Sequence, residues 1–188
     1  MNTFASPLVQ AARPTSRAMP WRPLAAAAVL LVLVLALLRA SGQPVDTFLT
    51  VAAAALAGLV VGALHDPAAT LLATVPVPIA HRRALRLTLV CVPVLTLWWM
   101  LTLVAGPSSA SHGPGPLMAL AASGVAVAVW MPSQRGVLVG VSVPLAWYAL
   151  DQLVPWTGVA ADVSGWWRTD PWSVTACAVL LLVAGRRR

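Results

Sequence analysis

Apolar residues in this chain fall into six long blocks separated by short breaks rich in charge, glycine or proline. The blocks cover 23–38, 47–64, 87–105, 117–131, 136–154 and 171–185. Arg22 and Arg39 bound the first, Asp46 and His65 the second, and Arg86 and Gly106 the third. The fourth follows the Gly/Pro-rich stretch 106–116. A membrane-spanning helix takes roughly 17–25 predominantly apolar residues. The pattern therefore predicts an all-α, polytopic membrane protein with six spans, forming one transmembrane domain after a cytoplasmic segment 1–22. Several blocks are short, so Arg and Trp at their ends are expected to reach for the interfaces. The first block also has the length of a signal-peptide core. The roughly 22 residues before it are long for such a leader, which favours a retained span.

Composition strengthens this picture. Of the 188 residues, 60% are apolar and 9% charged, and mean hydropathy is +0.85. Soluble domains run at about 45–50% apolar and about 25% charged, and a soluble globule of this size has too little interior for so much apolar surface. The charged residues exclude whole classes of chemistry. All 12 basic residues are Arg and all 5 acids are Asp. Without Lys there is no Walker A loop and no Schiff-base or pyridoxal-phosphate site; without Glu there is no HExxH zinc site.

The net charge of +7 raises nucleic acid as a partner, but the distribution of Arg points to the lipid bilayer instead. With a cytoplasmic N-terminus, ten Arg residues lie on the inner side and only Arg39 and Arg168 on the outer. This bias sets both termini in the cytoplasm; the preference for Ala and Arg suggests a high-GC bacterial genome, and with it a bacterial inner-membrane protein. Asp46, Asp151, Asp162 and Asp170 then lie at or near the outer face. Cys91 and Cys177 fall inside apolar blocks and read as packed thiols.

The inner segment between the second and third spans is the one most suited to a partner. Asp66 and Pro67 form a good helix start, and a two-turn helix carrying Leu71, Leu72 and Val75 would stop before Pro76. A basic stretch with Arg82, Arg83 and Arg86 leads into the third span. An apolar helix at the cytoplasmic surface suits a protein groove; its alternative is to lie on anionic headgroups.

At these residues the chain resembles the membrane subunits of type-2 ABC exporters, in which such a segment is the coupling helix that docks on an ATPase. The local match covers roughly 66–87. The six-span plan, both ends inside, and a longer outer loop at 154–170 between spans five and six agree with it. The family usually has a Glu and a Gly-Thr pair where Asp66, Pro67 and Ala68 stand here. The resemblance implies a permease subunit that works as a homo- or heterodimer, coupled to a separate cytoplasmic ATPase through 66–86. Other readings are the substrate-binding membrane component of an energy-coupling vitamin importer, or a membrane scaffold or immunity protein without transport activity.

Other patterns are less specific. Ala54, Gly58 and Gly62 line one helix face, and Gly136 and Gly140 another; small residues let helices approach closely in lipid, within one subunit or across a dimer seam. Pro93 and Pro144 interrupt spans and would kink them. Asp151 is the carboxylate nearest the hydrocarbon edge, where it either touches substrate or pairs with Arg. His65, Asp66 and His81 have no spacing that enforces a metal site. Ser123 has no His in any span to act as its base, and an Asp dyad would need a second intramembrane carboxylate. No enzyme, cofactor or metal site is expected.

Overall fold

In the computed structural model the described residues are 21–65, 79–106, 113–131, 134–154 and 157–185, and all regular structure among them is α-helical. In chain order the helices are α1 (Trp21–Ala40), α2 (Asp46–Gly62), α3 (Ile79–Ala105), α4 (Gly115–Trp130), α5 (Gln134–Leu153), α6 (Val159–Thr169) and α7 (Pro171–Gly185). Six of them match the six apolar blocks within a few residues, save that α3 begins eight residues early, so the basic stretch is continuous with the third helix. The seventh, α6, lies where a plain loop is expected from the sequence.

Local chemistry explains several boundaries. α1 stops at a Schellman turn: Gly42 adopts φ +69°, its N–H donates to the Arg39 carbonyl, and the Gln43 N–H donates to the Leu38 carbonyl. A left-handed residue there favours glycine. α4 starts on Pro114, with Pro116 inside its first turn, where no intrahelical N–H bond is lost. α6 follows Gly158 at φ +89°. It has Asp162 in its first turn and Arg168 in its last, the arrangement that complements the helix dipole.

Side-chain size sets the layers. α2 and α4 are rich in Ala and Gly and are buried along most of their length, through residues such as Ala53, Leu56, Ala57, Leu120 and Gly124. Small residues allow neighbours on several sides, so these two helices form the centre. α3, α5 and α7 pack around them, and α1 sits against α3 with a lighter contact to α2. α1 buries Leu35 alone, leaving Val29, Leu30, Leu33 and Leu37 exposed. The central helices are also short: α2 has 17 residues and α4 16, against 20 in α1 and 27 in α3. Among the described residues, three helices are long and apolar enough to cross a membrane: α1, the part of α3 from Arg83, and the part of α5 from Arg135. α2, α4 and α7 are apolar but shorter.

At the α4–α5 crossing the two backbones come close together. A Cβ on Gly124 would stand 2.7 Å from the Gly140 carbonyl oxygen, and one on Gly140 would stand 2.6 Å from the Gly124 oxygen. Val61 of α2 presses on both glycines. Pro144 lies inside a continuous α5 and is fully buried beside Gly124. Pro93 likewise lies within an unbroken α3.

Two sets of contacts show that successive long helices alternate in direction. At one end, the starts of α2 and α4, the ends of α3 and α5, and α6 meet around a common cavity. At the other, Arg86 near the start of α3 donates to the His65 carbonyl just past α2, at 2.7 Å. Also at that end, the Trp130 indole of α4 donates to the Leu181 carbonyl of α7, at 2.8 Å. α4 and α7 run parallel: Gly115 lies against Pro171 at their starts, and Trp130 against Gly185 at their ends. Arg39 at the end of α1 donates to the Val104 carbonyl at the end of α3.

Candidate functional site at the α6 end

α6 is held to the bundle by a side-chain ion pair. Arg168 Nη2 donates to Asp151 Oδ1 at 2.8 Å. The Asp151 side chain is 4% exposed and the Arg168 side chain 34%. Gly165 lies beside this pair, and a Cβ there would stand 3.4 Å from Asp151 Oδ1, in ordinary contact. Ala161, Ser164, Gly165 and Arg168 follow helical i, i+3, i+4, i+7 spacing and line a cleft together with Asp151. The Arg168 guanidinium also lies 5.7 Å from the Trp167 ring centroid, within cation–π range. Asp151 Oδ2 is buried with no hydrogen-bond partner among the described residues.

Beside this pair is a cavity of about 400 Å³, within the range of roughly 300–1,000 Å³ typical of small-molecule sites. Asp46, Thr47 and Thr50 of α2, Trp98 of α3, Gln152 of α5, and Trp167 and Arg168 of α6 contribute to its lining. Trp98 and Trp167 are fully buried. Their indole N–H groups find no acceptor among the described residues, although buried donors are nearly always paired. Two other cavities are almost wholly apolar. One, of about 490 Å³, lies between α1, α2 and α5 and includes Leu24, Leu31, Gly58 and Val141 in its wall. The other, of about 520 Å³, lies between α4, α5 and α7 and includes Trp130, Trp147 and Cys177.

The residues singled out from the sequence are scattered over the molecule. Asp151 has Arg168 as its partner, the alternative to substrate contact raised by the sequence. Ala54 is fully buried. Gly58 and Gly62 both face Val141 of α5, at 3.5–3.8 Å from a built Cβ, which is ordinary contact. Gly140 meets α4 and α2, and Gly136 lies against Met131 of the preceding turn. Asp66, Leu71, Leu72 and Val75 lie outside the described residues, as does the side chain of Arg82. Arg83 is half-buried. Arg86 is buried, and its bond to His65 closes the end of α2, a local structural role in addition to the docking role expected of it. Among the described residues, no three His, Cys, Asp or Glu side chains cluster as a metal site would require.

The sequence reading missed α6, the cavity and the role of Gly124. The spacing of Ala161, Ser164, Gly165 and Arg168 was a usable signal for α6. No local signal links Trp98 to Trp167, which are brought together only by the fold. Comparison with protein-family models, curated proteins and solved structures finds no match.

Proposed function

We propose that the chain is a six-span protein of the bacterial cytoplasmic membrane, and the permease subunit of an exporter driven by a separate ATPase. The observation that carries this reading is the polarity of the alternating bundle. Asp46, Asp151, Asp162 and Asp170 belong to the α6 end, while Arg22, Arg83, Arg86 and Arg135 belong to the other. Cationic residues favour the cytoplasmic side, so the α6 end faces outward and both termini inward. The segment 66–86, which joins α2 to α3 and includes the first residues of α3, then extends into the cytoplasm, where Leu71, Leu72 and Val75 dock on the ATPase. The exposed apolar faces of α1 and α3, with Val29, Leu30, Val92 and Leu103, meet lipid. Two membrane subunits pair, and closure of the ATPases changes the angle between them.

A second reading, the substrate-binding component of an energy-coupling importer, is favoured by the α6-end cavity. Its wall comes from a single chain, so a ligand needs no second subunit to be held.

The test is co-purification of an ATPase from membranes of the native host with the wild type, with Leu72→Asp, and with Arg82, Arg83 and Arg86 replaced together. Docking predicts that Leu72→Asp loses the ATPase yet still inserts, since a carboxylate in a desolvated contact costs roughly several kcal/mol. Headgroup binding predicts that the triple Arg variant matters most and that salt modulates the effect. If Leu72→Asp keeps its partner, or no ATPase ever co-purifies, the permease reading gives way to a scaffold role.

A further inference from the structure

We infer that the apolar groove between α1, α2 and α5 holds one acyl chain of an anionic phospholipid of the cytoplasmic leaflet, with the lipid phosphate against Arg22. Depth is the first observation. The lining runs along α1 from Trp21 to Leu31 and along the last part of α2 from Ala55 to Ala63, and it reaches Val141 and Leu145 of α5. These residues lie in the half of the bundle where Arg86 bonds to the His65 carbonyl. That half faces the cytoplasm in the orientation proposed above, and the proposal rests on that orientation alone. From Trp21 to Leu31 the helix rises about 15 Å, half of a hydrocarbon core of about 30 Å. The groove is as deep as one leaflet.

Width is the second observation. A volume of about 490 Å³ over that length gives a cross-section of roughly 33 Å². A helix with its side chains is about 10–12 Å across, or roughly 80 Å² and more, and enters only if α1 moves away. An extended hydrocarbon chain is slim enough. The room comes from small side chains in the wall, Ala27 on α1 with Ala55 and Gly58 on α2. α1 leaves the slot open because it leans on α3 and is fastened at its far end, where Leu35 is buried and Arg39 donates to the Val104 carbonyl. Charge is the third observation. Arg22 stands between two lining residues, Trp21 and Pro23, at the cytoplasmic mouth. It is exposed and has no ion-pair partner among the described residues. A guanidinium above an apolar slot complements a phosphate carried on an acyl chain. Free phosphate would gain the cation and leave the slot empty. A zwitterionic headgroup would bring its own cation to an end that already carries Arg83 and Arg135, so a net negative headgroup is favoured.

The experiment uses the purified full-length chain in detergent. Native mass spectrometry counts bound lipid and gives the oligomeric state, and thermal unfolding reports stabilisation. The probes are phosphatidylglycerol and phosphatidylcholine with identical acyl chains, and inorganic phosphate. Phosphatidylglycerol should bind about tenfold more tightly than phosphatidylcholine, the expected gain of one charge-assisted contact, and should raise the melting temperature. Inorganic phosphate at about 10 mM should leave the melting temperature unchanged. Arg22→Gln should shrink the preference to about twofold or less. Arg135→Gln removes the same charge at the same end, outside the groove lining, and should preserve it. Ala27→Phe puts a ring in the slot and should weaken both lipids by about tenfold, without lowering the melting temperature of the delipidated protein. Equal affinity for the two lipids overturns the proposal. So does a loss in Arg135→Gln as large as in Arg22→Gln, or wild-type lipid binding by Ala27→Phe. A wild-type dimer that Ala27→Phe converts to monomers assigns the groove to a second copy and also overturns it. Should Ala27→Phe fail to fold, the comparison of Arg22→Gln with Arg135→Gln, both at exposed positions, still decides. No ATPase enters these measurements, so this claim and the co-purification result fall separately.

Discussion

Replacing Gly140 by alanine tests the packing of the bundle through a single methyl group. Its Cβ would stand 2.6 Å from the Gly124 oxygen, 2.7 Å from Ala128 Cβ and 3.1 Å from Val61 Cγ1. Ordinary contact begins at 3.4 Å, so α5 must withdraw from α4 by about 0.8 Å. The obstacle is backbone on the facing helix, which cannot rotate away as a side chain can. Overpacking of this kind costs about 1–3 kcal/mol. Against it stands about 1 kcal/mol of improved helix propensity on going from Gly to Ala. A net loss of about 1 kcal/mol follows. Gly58→Ala is the matched control. Its Cβ would meet the Val141 oxygen at 3.5 Å, in ordinary contact, so only the propensity gain of about 1 kcal/mol remains. The two variants should differ by about 2 kcal/mol, or about 4–8 °C in melting temperature for a chain of this size. The assay is thermal unfolding of the purified protein in one detergent, with loss of monodisperse protein as readout. Equal stabilities, or the reverse order, would refute the α4–α5 crossing as described.

Two further predictions concern the α6 end and the orientation. Arg168→Ala should destabilise more than Asp151→Ala, by about 1 kcal/mol or more, because it strands a buried carboxylate while the reverse change leaves a partly solvated guanidinium. The double variant should recover part of the loss in the same unfolding assay, and strictly additive losses would remove the ion pair as the anchor of α6. Reporter fusions after Arg22, Arg83, Arg135 and Arg188 should read cytoplasmic, and those after Gly42, Ser109 and Gly165 external. A reversed signal at any one site would remove a span from the proposed six.

The long helices were legible because each is one continuous apolar block, ended by features such as Gly42 or Pro114. α6 was not, because a search for blocks of about 20 apolar residues passes over eleven residues interrupted by Asp162, Gly165 and Arg168. Arg168 is also the residue that ties it to Asp151. The Gly58 and Gly62 face was visible as a pattern, yet its contact proves looser than that of Gly124 and Gly140. Spacing reveals which residues are small but not which neighbour comes close. Asp151 was picked out by its position near the hydrocarbon edge, and its pairing with Arg168 was one of the alternatives. The indoles of Trp98 and Trp167 are far apart in sequence. Each reads there as a bulky apolar or interfacial residue, and only the assembled helices reveal two donors without acceptors.

The shortness of the central helices bears on the surrounding membrane. At 1.5 Å per residue, the 16 residues of α4 extend about 24 Å and the 17 of α2 about 26 Å, against a hydrocarbon thickness of about 30 Å. In the six-span arrangement α2, α4 and the 15-residue α7 therefore form a waist thinner than the side where α1 and α3 are long enough to match the bilayer. Such a waist strains a thick membrane and relaxes in a thin one, at fractions of a kcal/mol per Å of mismatch. Acyl-chain length thus becomes a variable that acts on this protein, favouring bilayers of shorter lipids.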